Sequence, residues 1–330
     1  MDRYQVIDDR IYNPKGLEVN AVLHCNLRCR SCSHLSPVMP PWFAEPEQVG
    51  RDLTRLARSY RSANVKILGG EPLLHPRLTD LVREVRESAV TDKIILATNG
   101  LLLSSADDRL WAMVDRIELS LYPGRAVTDG ELRGFRRRAE RHGTHLAVRL
   151  SPEFRESYSE QGTEDGALVD RIFRTCQVVH VWRSHTVHQG FFYRCPQSYF
   201  IHRGRKVKPE ETGDGLEIRD DGEFTQDLYR HLTSPRGPAA CRWCLGSAGR
   251  RFPHEQVPQR QWTTPGNRPT EAPLDPELLD TLEKDPTGTY HTKTDLTTDI
   301  LPEGWTRPRT RTGRRTLGTP NPPTGEASPG

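Results

Sequence analysis

The sequence predicts an α/β fold built on a mostly parallel sheet. In the first half of the chain, apolar β-branched segments alternate with amphipathic helical segments, an order typical of parallel βα units. The strand segments are almost continuously apolar, which indicates burial on both faces. A barrel-like (β/α) sheet and an open doubly wound sheet both satisfy this pattern. In either one, functional residues gather at the carboxyl ends of the strands.

Each predicted element rests on its own local pattern. The strands are rich in Val, Ile and Leu, and several end in glycine-containing turns. They are LEVNAVLH (17–24), NVKILGG (64–70), KIILATNG (93–100), RIELSLYPG (116–124) and HLAVRLS (145–151). The helices between them show apolar residues at helical spacing. They are EPEQVGRDLTRLARSY (45–60), RLTDLVREVRES (77–88), DDRLWAMVD (107–115) and DGELRGFRRRAERHG (129–143).

Composition excludes several classes of protein. The chain has 330 residues and a net charge of +3, and its arginines are scattered, so no nucleic-acid partner is expected. The start MDRYQVIDDR is too charged for a signal peptide, and no apolar run approaches the ~20 residues of a membrane helix. We therefore expect a soluble cytoplasmic protein without a membrane partner. In that compartment, clustered cysteines favour metal binding or catalysis over disulfides.

The last part of the chain differs from the rest in composition. Half of the 26 prolines lie after Phe252, among many Thr, Arg and Gly residues and no Cys. Only PLDPELLDTLEK (273–284) has the pattern of a short helix. Because the remainder lacks the periodicity needed to bury a core, residues 253–330 are predicted to be a mostly disordered tail without chemistry.

A cluster of three cysteines follows the first predicted strand. Cys25, Cys29 and Cys32 are spaced C-x3-C-x2-C within CNLRCRSCSHLSP. A structural zinc site takes four closed ligands. Three thiolates on one loop suit a 4Fe–4S cluster that leaves one iron open for a small molecule. The alternative is a zinc or redox cysteine cluster beside an unrelated glycine turn.

The cysteine loop, together with Gly69-Gly70-Glu71-Pro72 at the end of the next strand, resembles the radical S-adenosylmethionine (SAM) superfamily. The resemblance covers roughly residues 15–250. It implies a partial (β/α)6 TIM-like barrel, and we assign this radical SAM core to residues 1–160. It also implies a flavodoxin- or ferredoxin-type reductant as a partner.

The same resemblance implies roles for individual residues. Cys25, Cys29 and Cys32 would ligate the cluster, and SAM would chelate the open iron. A second group of residues would line the SAM pocket or touch its ribose or methionine moiety; these are Gly69, Gly70, Glu71, Asn99 and Ser120. Arg149 is the candidate catalytic residue, near a substrate carboxylate or hydroxyl. One departure from the family is Ser31, which stands where an aromatic residue usually packs near adenine, so His34 is the substitute candidate.

Four cysteines remain, and their spacing also forms a pattern. Cys176 and Cys195 are spaced C-x13-G-x4-C, and Cys241 and Cys244 form C-x2-C after a long gap. The segment HVWRSHTVHQGFFYRC (180–195) predicts a β-hairpin that returns Cys195 towards Cys176. This arrangement resembles the twitch extension of radical SAM enzymes, a small domain holding one auxiliary 4Fe–4S cluster, assigned here to residues 161–252. A four-cysteine zinc ribbon is the alternative.

The resemblance implies a reaction class. Reduced cluster and SAM would generate a 5′-deoxyadenosyl radical that abstracts hydrogen from an unactivated carbon. The twitch-like spacing is similar to that of aminocyclitol dehydrogenases. CNLRCRSCSHLSP with GGEPLLHP resembles cytosylglucuronate decarboxylases of blasticidin-type antibiotic biosynthesis. We therefore expect a lyase acting on a polyol or sugar nucleoside by dehydration or decarboxylation, with cytosylglucuronate the first candidate. The alternatives are an oxidoreductase of the dehydrogenase type and a ribosomal-peptide maturase.

Overall fold

The protein was examined as a computed structural model that describes residues 4–263, 268–290 and 293–306. Its strands, in chain order, are β1 (Gln5–Ile7), β2 (Arg10–Val22), β3 (Tyr60–Gly69), β4 (Ile94–Thr98), β5 (Arg116–Leu121), β6 (His145–Leu150), β7 (Glu153–Arg155), β8 (His185–His188), β9 (Phe191–Tyr193), β10 (Gly215–Glu217), β11 (Arg251–Pro253) and β12 (Thr294–Asp295). Its helices are α1 (Pro46–Leu56), α2 (Leu78–Glu87), α3 (Asp108–Met113), α4 (Asp129–His142), α5 (Gly166–Arg174), α6 (Gln177–His180), α7 (Pro196–Gly204), α8 (Phe224–Thr233), α9 (Gln259–Thr263) and α10 (Pro276–Lys284).

The predicted α/β class and the partial TIM-like barrel are confirmed. One large sheet has the strand order β10-β9-β8-β2-β3-β4-β5-β6-β12, and β8 through β6 in that order are six parallel neighbours. Helices α1 to α4 follow β2 to β5 in the chain, as βα units require. All five strands and all four helices predicted for residues 17–151 are present.

The sixth parallel strand is placed where the sequence did not predict it. β8 pairs with β2, with Leu17 opposite His185. It therefore lies beside the first of the parallel strands, β2, on the side away from β3. It then turns back through Gln189 and Gly190, which have φ of 46° and 81°, into the predicted hairpin with β9. The hairpin is confirmed, but it extends the main sheet. Residue 161 is therefore not a boundary of the sheet.

The two faces of the sheet differ in character. On β2, Leu17, Val19 and Ala21 are buried in the same core cluster as Leu53 and Leu56 of α1. Because side chains alternate along a strand, the residues between them point to the opposite, inner face. Glu18 is one of these, so the inner face of the barrel carries charge while the helix-covered face is apolar.

The prediction of a disordered tail is wrong for the described residues beyond Phe252. The predicted short helix is present as α10, and it packs Leu279 and Leu282 into a buried cluster with Leu245. Strand β12, which was not predicted, pairs antiparallel with β6. The sequence pattern misses this strand because the apolar residues around it are sparse and it gains its order by pairing with β6. Residues 307–330 of the predicted tail lie outside the described part of the chain.

Among the described residues, no helix combines the length and the apolar character that crossing a lipid bilayer requires.

Candidate functional site

The cysteine loop lies at the carboxyl end of β2 and borders a cavity. Cys25, Cys29 and Cys32 all line this space, here called the cysteine cavity, which has a volume of about 290 Å³. Its wall is completed by the ends of β3, β4 and β5, as expected for a parallel sheet. The structure thus brings the three predicted ligands together at one opening.

The glycine pair is required where β3 meets the cysteine loop. A Cβ atom on Gly69 would lie 2.0 Å from the Val22 carbonyl oxygen, and one on Gly70 would lie 1.9 Å from that of His24. Gly69 also has a φ of 139°, which favours glycine. Both residues line the cavity. Their small size allows β3 and the cysteine loop to touch backbone to backbone.

Glu71 occupies a different place from the one expected of an anion facing the cavity. It is fully buried, and its carboxylate accepts hydrogen bonds from the Thr98 hydroxyl (2.7 Å), the Asn99 amide (2.8 Å) and the Leu73 amide (3.1 Å). Burial raises the pKa of Glu71 to about 7, against the effect of those donors. The carboxyl group therefore fixes the end of β4, and Glu71 is not among the residues lining the cavity.

Asn99 and Ser120 do line the cavity, as the sequence predicted. Asn99 Nδ2 donates to Asn26 Oδ1 at 2.7 Å and lies 3.8 Å from Cys25 Sγ. Ser120 stands on β5 on the inner face, in the same alternation as Glu118. Both are placed to touch a molecule bound beside the cysteines.

Ser31, the departure from the family pattern, anchors the loop. It adopts a left-handed φ of 52° and donates a 2.7 Å hydrogen bond to Glu156 Oε2. Glu156 also forms an ion pair of 2.7 Å with Arg30. His34 lines the cavity, so it stays available as the substitute adenine contact.

A segment that the sequence placed in the tail lies against Cys29. The amides of Arg30 and Val257 donate to the carbonyls of Glu255 and Arg28 at 3.0 Å each, so residues 255–257 run beside the loop. Gln256 Nε2 donates to Cys29 Sγ at 3.0 Å, and His254 Nε2 lies 3.2 Å from the same sulfur. No sequence motif marks these two side chains; only the chain's return to the barrel brings them there.

The inner wall of the cavity is charged. Lys66 on β3 and Glu118 on β5 reach across β4 and form an ion pair of 2.8 Å. Glu18 on β2 lies opposite Lys66, and its Oε2 is buried without a hydrogen-bond partner. Burial raises the pKa of Glu18 to about 7, although Lys66 lowers it. A signal existed in the sequence: each of three apolar strands carries at least one charged residue at an inward position.

Arg149 is a correction to the predicted catalytic set. Its guanidinium group forms an ion pair with Asp295 of β12, and the two residues are also backbone partners across β6 and β12. It is not among the residues lining the cysteine cavity. The sequence gave no sign of the pairing because Asp295 lies in the segment predicted to be disordered.

The four remaining cysteines also come together. Cys176 and Cys195 pack in one cluster with Phe173 and Val179, and Cys241 packs against it. The thiols of Cys241 and Cys244 each lie close enough to those of Cys176 and Cys195 to raise one another's pKa. This group, here called the second cysteine site, is the one that the spacing predicted.

A second cavity lies between the two cysteine sites. It has a volume of about 240 Å³ and shares Ser33, Phe154 and Lys293 with the cysteine cavity. At its other end it reaches Gly246, two residues beyond Cys244, and Val178, two residues beyond Cys176. This bridging cavity therefore connects the surroundings of both sites.

Both thiol sets fit iron–sulfur clusters. Burial raises the pKa of Cys25, Cys29 and Cys195 to about 12, so these thiols stay protonated until a cation displaces the proton. Among the described residues, no three His, Cys, Asp or Glu side chains converge on a single metal ion. A 4Fe–4S cluster is held by cysteine thiolates, and Cys25, Cys29 and Cys32 are the residues that would hold one at the cavity.

Comparison with known proteins finds a family match for the segment that contains the cysteine loop and the glycine pair. Residues 19–124 match the model of the radical SAM superfamily. A GTP 3′,8-cyclase of Microcystis aeruginosa is 30% identical over 110 residues, 32% of this chain and 33% of that protein. A probable GTP 3′,8-cyclase of Metallosphaera sedula is 36% identical over 118 residues, 34% of this chain and 36% of that protein. The chain thus spans about a third of the length of these curated relatives.

A solved structure extends over more of the chain. The crystal structure of BtrN in complex with AdoMet and 2-DOIA covers 70% of this chain and 92% of its own, with 18% identity and a TM-score of 0.45. The family match is confined to the segment that contains the cysteine loop, the glycine pair and Ser120. Over residues 19–124 the chain is therefore similar to the radical SAM superfamily.

Proposed function

We propose that the chain is a radical SAM enzyme that acts on a small polyol or sugar nucleoside by radical decarboxylation or dehydration, with cytosylglucuronate as the first candidate substrate. The observation that carries the proposal is the charged inner wall: Glu18, Lys66 and Glu118 line the same cavity as the three cysteines. Hydroxyl-rich substrates are held by such fixed charges and hydrogen-bonding groups. When bound, the first cluster with SAM supplies a hydrogen-abstracting 5′-deoxyadenosyl radical, and a second cluster supplies one-electron capacity.

The size of the site favours a small molecule. The cysteine cavity and the bridging cavity measure about 290 and 240 Å³, and they share three lining residues. Binding sites for small molecules usually begin at about 300 Å³. A peptide maturase would need a groove for an extended chain, so this alternative is the weaker one.

Glu18 is the base in this proposal, a role that the sequence assigned to no residue. Its Oε2 is buried and has no hydrogen-bond partner among the described residues, and its pKa of about 7 suits proton transfer near neutral pH. Loss of hydrogen from a carbinol carbon acidifies the attached hydroxyl, and Glu18 would accept that proton. Hydroxide then leaves the neighbouring carbon with the bonding electron pair, or carbon dioxide leaves and that carbon keeps the pair and takes up a proton.

Hydrogen abstraction and loss of the hydroxyl proton are common to two possible reactions, elimination and dehydrogenation. If one electron is returned to the product radical, the reaction is redox-neutral and the product lacks carbon dioxide or water. If the electron is lost instead, the product is a ketone and the enzyme is a polyol dehydrogenase. A nucleotide substrate is a further candidate, because the two relatives are named for GTP. Lys66 is already paired with Glu118, so Lys66 itself offers a triphosphate little free positive charge.

The test is transfer of a deuterium label. Reconstituted enzyme receives SAM, a reductant and cytosylglucuronic acid deuterated at its ring carbinol positions in turn. We expect deuterium in 5′-deoxyadenosine for one position, with product lighter by carbon dioxide. Loss of two hydrogens would indicate the dehydrogenase. Label transfer from GTP or from a peptide, and from no sugar nucleoside, would contradict the proposal.

Glu18→Gln sharpens this test because it separates abstraction from the later steps. The variant should still transfer label while product falls by about 10²–10⁴-fold, the usual contribution of a general base. In the unaltered enzyme, turnover should rise as the pH increases through about 7, because only the ionised carboxylate accepts a proton. Glu84→Gln, on α2, is the matched control. A pH profile that keeps its rising limb in Glu18→Gln would remove Glu18 from the role.

A further inference from the structure

The C-terminal strand inserts a lysine into the barrel opening. β12 pairs antiparallel with β6, with Thr294 opposite Leu150, and the Leu296 amide donates to the Val148 carbonyl at 3.0 Å. Lys293 immediately precedes this strand. It lines both the cysteine cavity and the bridging cavity.

The strand is held from several sides, so the position of the lysine is fixed by the fold. Arg136 of α4 forms a 2.6 Å ion pair with Asp299 and donates to the carbonyls of Leu296 and Thr298 at 3.0 Å each. The Leu301 amide donates to Asp129 Oδ1 at 2.9 Å. The segment 294–301 is therefore an edge of the barrel.

Lys293 differs from the other cations around the two cavities. Lys66 is ion-paired with Glu118 at 2.8 Å. Arg155 and Arg251 both donate to the Tyr290 carbonyl, at 2.5 and 2.6 Å. Lys293 has no hydrogen bond or ion pair with any residue that the structure describes. Its charge is thus available to a ligand at the junction of the two cavities.

We propose that Lys293 recognises an anionic group of the substrate, a carboxylate or a phosphate, while the free oxygen of Glu18 accepts a substrate hydroxyl. This inference rests on the proposed function and deepens it, because it makes the substrate an acidic polyol. Hydrogen bonds from an ammonium group to a carboxylate or phosphate are charge-assisted and so stronger than those between neutral groups. The chain segment that looks like a tail in the sequence then determines substrate specificity.

The experiment measures binding without turnover. Holoenzyme with both clusters oxidised and SAM bound is titrated calorimetrically with cytosylglucuronic acid and with the matching glucose nucleoside, in which a hydroxymethyl group replaces the carboxylate. Lys293→Met should weaken binding of the acid about 10- to 100-fold, the usual loss for a hydrogen bond to a charged group, and leave the glucose nucleoside within about twofold. Lys293→Arg should recover most of the loss.

The controls separate a binding role from a structural one. Lys284→Met, at the exposed end of α10, should change neither affinity. Iron content and the melting temperature of Lys293→Met should match the unaltered enzyme, because the side chain is exposed and makes no described bond. Equal weakening of acid and glucose nucleoside, or unchanged affinity for the acid, would overturn the inference.

A third ligand keeps the inference distinct from the proposed function. If the unaltered enzyme binds neither nucleoside, GTP is titrated in the same way. Binding of GTP that falls at least tenfold in Lys293→Met would support the lysine as an anion site and reject the proposed substrate. Lack of any Lys293-dependent binding among these anions would overturn the anion site itself.

Discussion

The two cysteine sites of this molecule are built in opposite ways. The first takes three thiols from one short loop at the end of β2, and Cys25 and Cys32 remain partly exposed at a cavity. The second takes four thiols from three separate segments, and three of the thiols are buried. Apolar side chains such as Phe173 and Val179 surround the second site.

The difference indicates separate roles. An open cavity with glycine edges admits a ligand to the first site. The second site has four thiols packed in apolar surroundings; a cluster that all four of them held would have no iron open to a substrate and would suit electron transfer or stabilisation. The bridging cavity lies between them, so a substrate held by Glu18 and Lys293 would be near both sites without touching the second.

The largest effect should follow removal of the open site. In Cys25→Ala/Cys29→Ala/Cys32→Ala, iron should fall from about eight to about four per chain, and formation of 5′-deoxyadenosine should cease. The reason is that all three thiols lie at the same cavity and no described cysteine stands in reserve there. Iron analysis and chromatography of the SAM products measure both quantities. Continued formation of 5′-deoxyadenosine would refute the assignment of the first site.

Removal of the closed site should have a smaller effect on SAM and a larger one on stability. Cys241→Ala/Cys244→Ala should keep the first cluster and some 5′-deoxyadenosine, while sugar product falls and the melting temperature drops. The loss of stability is expected because the second site joins α5, α7 and the turn at Cys241. Thermal unfolding, iron content and product yield are the measurements. Full product yield in a folded variant without the second cluster would mean that this site is only structural. Stoichiometric zinc at the second cysteine site of the unaltered protein would favour the alternative of a four-cysteine zinc ribbon.

The smallest effect concerns the surroundings of Cys29. Gln256→Leu removes the Nε2 donor that lies 3.0 Å from Cys29 Sγ. Hydrogen bonds to cluster sulfurs stabilise the reduced, more negative state, so the reduction potential should become more negative. A difference of about 1 kcal/mol corresponds to ~40 mV for one electron.

Potentiometric titration followed by electron paramagnetic resonance measures this shift. Gln226→Leu, an exposed substitution on α8, is the matched control and should leave the potential unchanged. The reduction potential of the second cluster should also stay constant, because the hydrogen bonds of Gln256 go to the cysteine loop and not to the second cysteine site. Equal potentials in Gln256→Leu and the unaltered protein would show that this hydrogen bond does not act on the cluster.

The first site was largely readable from the sequence because its parts are local. Three cysteines share one loop, and the glycine pair ends the next strand, so the βα order alone places them side by side. Asn99 and Ser120 follow by the same rule, since they stand at or near the ends of the next two strands. The pairing of Cys176 with Cys195 was readable through the hairpin turn at Gly190.

Other features depended on contacts between distant parts of the chain. The family resemblance implies that Glu71 lines the SAM pocket, yet Thr98 and Asn99 hold its carboxylate inside. Arg149 has the residue type of a catalytic group, but Asp295 neutralises it from a strand with no sequence signature. Local pattern cannot report such pairings, because they arise only when two distant segments pack.

The sequence by itself determined the parallel α/β sheet, the ligands of the first site and the number of thiols at the second. Periodicity and spacing are short-range properties, and these features depend on nothing else. The tertiary structure alone decided that β8 returns beside β2, that Gln256 reaches Cys29, and that Lys293 enters the cavity. The physical reason is that the segments after Phe252 bury few apolar groups of their own and gain their order from the barrel on which they pack.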